Sequence, residues 1–79
     1  MSWTVYLLRC ADETLYCGCT NNLQKRLKAH NSGQGAKYTR ARRPVALVWQ
    51  EEQPDRSAAL RREAQIKKLT RAEKLALIS

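Results

Sequence analysis

The sequence predicts one small mixed α+β domain (α/β in the broad sense), a three-stranded sheet flanked by helices in the order ββαβαα. Three observations predict it. The chain has 79 residues, too few for two cores, so residues 1–79 form a single domain. β-rich segments lie before and after the first helical stretch, and two Asn/Thr-x-x-Gln/Glu patterns mark helix starts.

Trp3 to Arg9 is rich in apolar, aromatic and β-branched residues. Leu15 to Thr20 follows the polar break Ala11-Asp12-Glu13-Thr14, and the two segments read as a β-hairpin. No Asn-Gly or Asp-Gly pair is present there, which points to a three-residue or bulged loop. Asn21-x-x-Gln24 reads as a capping box opening a helix over about 22–30. Asn31-Ser32-Gly33-Gln34-Gly35 ends that helix, and Ala36 to Pro44 reads as a basic loop. Val45 to Trp49 is a third strand, stopped by Glu51-Glu52-Gln53-Pro54. A second helix starts at Asp55 or Ser57 and runs through Leu60, Ala64 and Ile66 to Leu69. Thr70-x-x-Glu73 then caps a short final helix ending at Ile78.

With 43% hydrophobic and 28% charged residues the composition is that of a folded domain, not of a disordered basic tail. The longest apolar run, Val5 to Leu8, falls far short of the ~20 residues a bilayer span requires, and Met1-Ser2-Trp3 lacks a charged leader region. A cytoplasmic protein with reduced thiols is expected. Cys10, Cys17 and Cys19 then read as small buried strand residues, with zinc held by Cys17-x-Cys19, Cys10 and His30 as the alternative.

The net charge is +8, and it is unevenly placed. No acidic residue occurs between Thr14 and Gln50, whereas Lys25, Arg26, Lys28, Lys37, Arg40, Arg42 and Arg43 supply seven cations. Lys37, Tyr38, Arg40, Arg42 and Arg43 combine forked donors with an aromatic ring, a composition suited to phosphates and to base stacking. Nucleic acid is therefore the expected partner, DNA in preference to RNA. A membrane surface is not, because no helix joins a basic face to bulky apolar insertion residues.

Several polar groups resist a packing-only account. Arg26 and His30 lie four apart and share one helix face. Glu63 falls about 40° from Ala59 and about 60° from Ile66 on a helical wheel, inside an apolar stripe where a carboxylate needs a cation. Tyr6 and Tyr16 stand on the two hairpin strands. If paired residues sum to an even number such as 24, Tyr6 faces Gly18 and both rings share a sheet face; an odd sum separates them. Gly18 opposite Tyr6 would also leave room for a substrate.

Taken together, Thr4-Val5-Tyr6, Tyr16-Cys17-Gly18, Leu23-x-x-Arg26-Leu27-x-x-His30 and the distant Glu63 resemble the GIY-YIG nuclease superfamily. Asn31-Ser32-Gly33, Lys37-Tyr38-Thr39 and Ile66-Lys67-Lys68-Leu69 are similar to its small stand-alone bacterial YhbQ-like branch, over essentially the whole chain. The resemblance implies a GIY-YIG-like fold and metal-dependent hydrolysis of phosphodiester bonds by an endonuclease with one divalent ion, Mg²⁺ or Mn²⁺. By position it implies Tyr6 and Tyr16 as the motif tyrosines, Arg26 as the phosphate clamp, His30 at a histidine-or-tyrosine site, and Glu63 as the metal-binding carboxylate. Thr4 replaces the first motif glycine, and Leu75 stands where many larger members carry asparagine, about twelve residues past the glutamate. Larger relatives also carry DNA-binding modules; for this chain the resemblance implies a structure-directed or weakly specific endonuclease, with a protein partner for targeting as a further expectation.

The residue types suit the chemistry. Hydrolysis needs a base for water, a cation against phosphoryl charge and help for the leaving oxygen. Tyr6 would serve as the general base with His30 accepting its proton, and a lone carboxylate suits Mg²⁺ held mainly by water and phosphate. The alternative reading is a non-catalytic DNA- or RNA-binding module that keeps the fold.

Overall fold

The computed structural model describes residues 2–79. In chain order the elements are β1 (Trp3–Arg9), β2 (Leu15–Thr20), α1 (Leu23–Asn31), α2 (Lys37–Arg40), β3 (Ala46–Gln53), α3 (Arg56–Lys67) and α4 (Arg71–Ile78). The strands form one antiparallel sheet in the order β2-β1-β3. The central place of β1 explains its unbroken apolar run: Val5, Tyr6, Leu7 and Leu8 are each at most 1% exposed, because both faces of this strand are covered.

The two faces carry separate cores. Val5, Leu7 and Cys17 pack with Ala59 and Ile66 of α3, together with Leu77 and Ile78 at the end of α4. Tyr6 and Leu8 point the other way and pack with Cys10, Val45, Tyr16, Leu23 and Leu27, under α1. Cys10 and Cys17 are buried strand-region residues as expected, and all three cysteines are free thiols.

Four local readings are corrected. Residues 36–44 are not all loop, since α2 forms inside them; a single turn of helix has no periodicity to read, and it is held by the burial of Thr39 (0% exposed). The N-cap of α1 is Asn22 instead of Asn21, its Oδ1 accepting the Lys25 N–H at 3.1 Å. Strand β3 continues through Glu51-Glu52-Gln53, because its backbone stays paired with β1 as far as Trp3↔Gln53. The Glu51 carboxylate meets Arg62 of α3 at 2.8 Å, which offsets the poor strand preference of glutamate. On α3 the buried positions are Ala59 and Ile66, while Leu60 remains 43% exposed. The two other predicted starts agree with the structure: Asp55 caps α3 through the Ala58 N–H, and the Thr70/Glu73 box opens α4.

Asn31 joins the two halves of the chain. Its side-chain amide donates to the Val45 carbonyl at 3.2 Å and accepts the Val45 N–H at 2.8 Å, so the end of α1 acts as a strand partner for the residue before β3. In the hairpin, Cys10 N–H donates to Thr14 O at 2.9 Å and Glu13 N–H to Cys10 O at 2.9 Å, enclosing a three-residue loop. Glu13 closes it at φ 69°, a left-handed position where a side chain crowds the backbone. Glu13→Gly is expected to raise stability by about 0.5–1 kcal/mol, the relief of strain exceeding the added unfolded-state entropy, and Glu13→Val to lower it. Thermal melts of the two variants beside the parent check the sign of both changes.

Candidate active site

The hairpin register decides the site. Tyr6 pairs with Gly18 and Leu8 with Tyr16, the even-sum arrangement, so the Tyr6 and Tyr16 side chains rise from the same face of the sheet. The space over Gly18 is not open for substrate, which corrects the expectation from sequence. A Cβ at Gly18 would lie 2.5 Å from the Tyr6 hydroxyl oxygen and 2.7 Å from its ring carbon Cζ. Gly18 therefore makes room for the Tyr6 phenol itself.

His30 comes to the same face from the last turn of α1 and is 0% exposed. Its Nε2 lies 3.0 Å from the Tyr6 hydroxyl and its Nδ1 2.9 Å from the Thr39 hydroxyl of α2. Both tyrosine rings meet the imidazole edge-on, Tyr6 at 6.0 Å and Tyr16 at 5.3 Å between centroids. At Gly35 an added Cβ would strike His30 Nδ1 and stand 2.8 Å from its Cα and Cγ, so the chain entering α2 lies directly on the histidine. Burial, aided by the positive charge of Arg26, pushes the His30 pKa down and favours the neutral ring.

Burial also pushes the Tyr6 phenol up to about 12; a hydrogen bond from the half-buried Arg26 works against that rise. Tyr16 is raised by burial too, with Lys67 and Arg26 opposing and Glu63 reinforcing the shift. The first face thus gathers Tyr6, Tyr16, Arg26 and His30, as the sequence predicted, and adds Thr39 and Tyr38. Tyr38 stacks on Tyr16 at 5.7 Å between centroids, with the Arg42 guanidinium 4.1 Å above the Tyr38 ring.

Glu63 stands on α3, which packs on the opposite sheet face. Its backbone carbonyl accepts the Cys17 thiol at 4.0 Å, its carboxylate lies 3.8 Å from Lys67 Nζ, and its side chain is 19% exposed. The cation that pairs with Glu63 is this lysine, one helical turn further along α3. Tyr16 and Cys17, which contact the two separate faces, are adjacent on the edge strand β2. Among the described residues no three His, Cys, Asp or Glu side chains gather as a metal cage. Zinc on Cys17-x-Cys19 is further disfavoured because both His30 nitrogens are engaged and burial lifts the Cys17 thiol to about 12.

The basic segment divides by role. Arg42 donates to Asp12 at 3.0 Å and to the Tyr38 carbonyl at 2.8 Å, tying α2 to the hairpin loop. Arg43 donates to the Arg40 carbonyl at 2.8 Å and to the Asn31 carbonyl at 3.5 Å. Lys37 and Arg40 point their charge to solvent, and Tyr38, 39% exposed, spends its ring on Tyr16 and Arg42. In the sequence Gly35 and Asn31 read only as a helix stop, and Asn31 and Thr39 only as parts of motifs. Their contacts arise where residues 32–36 fold back on α1, and no spacing announces that.

The profile of the GIY-YIG catalytic domain matches residues 2–76, nearly the entire chain. The chain belongs to the GIY-YIG family and has its nuclease-type fold, which implies nucleic acid as partner. It is 61% identical over 75 residues to the UPF0213 protein CPE1444 of Clostridium perfringens, covering 95% of this chain and 81% of that one. It is also 61% identical over 75 residues to a UPF0213 protein of Syntrophus aciditrophicus, covering 94% and 86%. Among solved structures, the solution NMR structure of the UPF0213 protein BH0048 from Bacillus halodurans matches with TM-score 0.63 at 42% identity, over 99% of this chain and 83% of that one. That of EF2693 from E. faecalis matches with TM-score 0.65 at 47% identity, over 94% and 79%.

The buried neutral histidine carries a pH signature. An unfolded histidine titrates near ~6.5, whereas His30 in the fold titrates lower. Below ~6.5 the unfolded chain therefore takes up a proton that the native state refuses, so stability is full above that value and declines as pH falls toward the folded pKa. Melting temperatures between about pH 7.5 and 5.5 should fall for the parent, and the His30→Gln variant should lose that slope.

Proposed function

We propose that this chain is an endonuclease that hydrolyses phosphodiester bonds of DNA with a divalent metal ion. The observation that carries the reading is the Tyr6 hydroxyl 3.0 Å from His30 Nε2, with Arg26 beside it. Burial raises the Tyr6 phenol to about 12, which disfavours a standing tyrosinate in the free protein. A concerted transfer meets that difficulty. As the water oxygen bonds to phosphorus its proton goes to the Tyr6 oxygen, the Tyr6 proton passes to His30 Nε2, and the phosphorus–oxygen bond to the leaving oxygen breaks, that oxygen taking a proton from solvent.

Tyr6 is 1% exposed in the free protein, with the Arg26 side chain against its hydroxyl. An arriving phosphate draws the guanidinium toward its non-bridging oxygens, which both stabilises charge there and opens Tyr6 to water. Tyr16, half-buried and within the fields of Arg26, Lys67 and Glu63, stands between the two halves of the site. Glu63, a single partly exposed carboxylate, is the residue that would hold Mg²⁺ or Mn²⁺. Such a donor set fits an ion that keeps most of its ligands as water and phosphate. When bound, the ion supplies neutralisation of charge on the phosphoryl oxygens.

One observation favours a second reading. The near-complete enclosure of Tyr6 is also what a core residue shows, and it suits a module that binds DNA or RNA without cutting. Cleavage assays across single-stranded, duplex, nicked and branched DNA and RNA, with and without Mg²⁺, separate the two. For the nuclease, Tyr6→Phe should slow cleavage by ~10²–10⁴-fold with binding nearly unchanged. Glu63→Gln should abolish metal-dependent cleavage while the fold persists. A parent protein inert with every substrate and metal leaves the binding module.

Salt dependence tests the interface. Each phosphate contact contributes roughly 0.7–0.9 to the slope of log affinity against log salt, so Lys37→Gln with Arg40→Gln should flatten it by about 1.5. Arg42→Gln should chiefly lower the melting temperature, since Arg42 holds α2 on the hairpin. Equal slopes for the parent and the Lys37/Arg40 double variant would remove those two side chains from the interface.

A further inference from the structure

Thr39 has no part in the hydrolytic scheme, yet it touches the group that receives the proton. It is 0% exposed, its hydroxyl lies 2.9 Å from His30 Nδ1, and that hydroxyl donates to the Ala36 carbonyl at 2.9 Å. A hydroxyl has one proton. With that proton on Ala36, the Thr39 oxygen is an acceptor, and the His30 Nδ1 beside it must carry hydrogen.

The other end of the chain of bonds gives the same result. Arg26 carries only donors, so it can take no proton from the Tyr6 phenol, whereas His30 Nε2 stands 3.0 Å from that hydroxyl and can. In the opposite tautomer Nε2–H would point at Tyr6, whose own proton would then face Arg26, which offers no acceptor. The bonds thus run in one direction, from Tyr6 to Nε2 and from Nδ1 to Thr39 to Ala36.

We propose that Thr39 is a positioning residue for the reaction: its hydroxyl holds His30 in the Nδ1–H tautomer, leaving Nε2 as a bare lone pair aimed at the Tyr6 hydroxyl. The consequence for cleavage rests on the nuclease reading above; the tautomer does not. When Tyr6 takes the proton of water and passes its own to Nε2, the ring becomes an imidazolium with hydrogen on both nitrogens. Nδ1–H stays on Thr39 throughout, Nε2–H faces the Tyr6 oxygen, and the extra proton is afterwards lost to solvent. Gly35 makes this arrangement possible, because any side chain there would collide with the imidazole and lift α2, and Thr39 with it, off His30.

The test is the His30 ring observed by ¹H–¹⁵N NMR at about pH 8, where histidine is neutral, beside cleavage of the DNA substrate the parent cuts. The parent should show the Nδ1–H tautomer. Thr39→Val, which keeps the shape and removes the hydroxyl, should show a mixture of tautomers and a roughly 10- to 100-fold slower cleavage, short of the loss of the base itself. Thr39→Ser should restore both. An Nε2–H tautomer in the parent overturns the proposal, as does an unchanged spectrum in Thr39→Val; if that variant does not fold, Thr39→Ala takes its place in the same comparison. A parent with the Nδ1–H tautomer, lost in Thr39→Val and regained in Thr39→Ser, that cleaves nothing upholds the Thr39 assignment and removes the nuclease reading instead.

Discussion

The site depends on burying one imidazole with both nitrogens satisfied. A polar ring removed from water costs about 1–3 kcal/mol for each hydrogen bond left unmade, so His30 dictates what surrounds it. Tyr6 must reach Nε2, which requires Gly18 beneath the phenol, and Thr39 must reach Nδ1, which requires Gly35 against the ring. Two strands and two helices are thereby tied to one side chain, and among the described residues no buried side-chain nitrogen or oxygen lacks a partner.

The same economy shapes the charge. A run of cations looks like one surface in sequence, but guanidinium forks are also the best bridges between carbonyl groups and carboxylates. Arg42 and Arg43 serve that second purpose, holding α2 against the hairpin loop and the end of α1. Their work inside the fold leaves Lys25, Arg26, Lys28, Lys37 and Arg40 as the cations of that stretch not tied to a carboxylate. Asn31 completes the framework by pinning Val45 from both sides of its peptide.

A domain this small cannot keep its core and its chemistry apart. Tyr6 and His30 belong to the most buried side chains of the chain, so their hydroxyl and ring nitrogen are held as rigidly as any core contact. Glu63 approaches from the other face, beyond the edge strand β2, and Tyr16 stands where the two layers meet. Such burial makes most changes at these residues changes to stability, and it is the placement on which the proposed proton transfer relies.

Much of this was legible in the residues themselves. The apolar run of β1, the Asp55 and Thr70 caps and the polar break before β2 determined the element order, because caps and strand patterns act over neighbouring residues alone. Helical spacing likewise placed Arg26 beside His30 and Glu63 between Ala59 and Ile66. The even hairpin register, by contrast, was one of two choices until Glu13 entered the left-handed region and closed a three-residue loop. The short helix α2, the Thr39 hydroxyl on His30 and the division among the arginines were decided by tertiary structure alone. Each depends on residues 32–36 folding back over α1, a contact between segments whose separation in sequence carries no periodic trace and whose driving force, a buried ring nitrogen in need of a partner, exists only once the ring is buried.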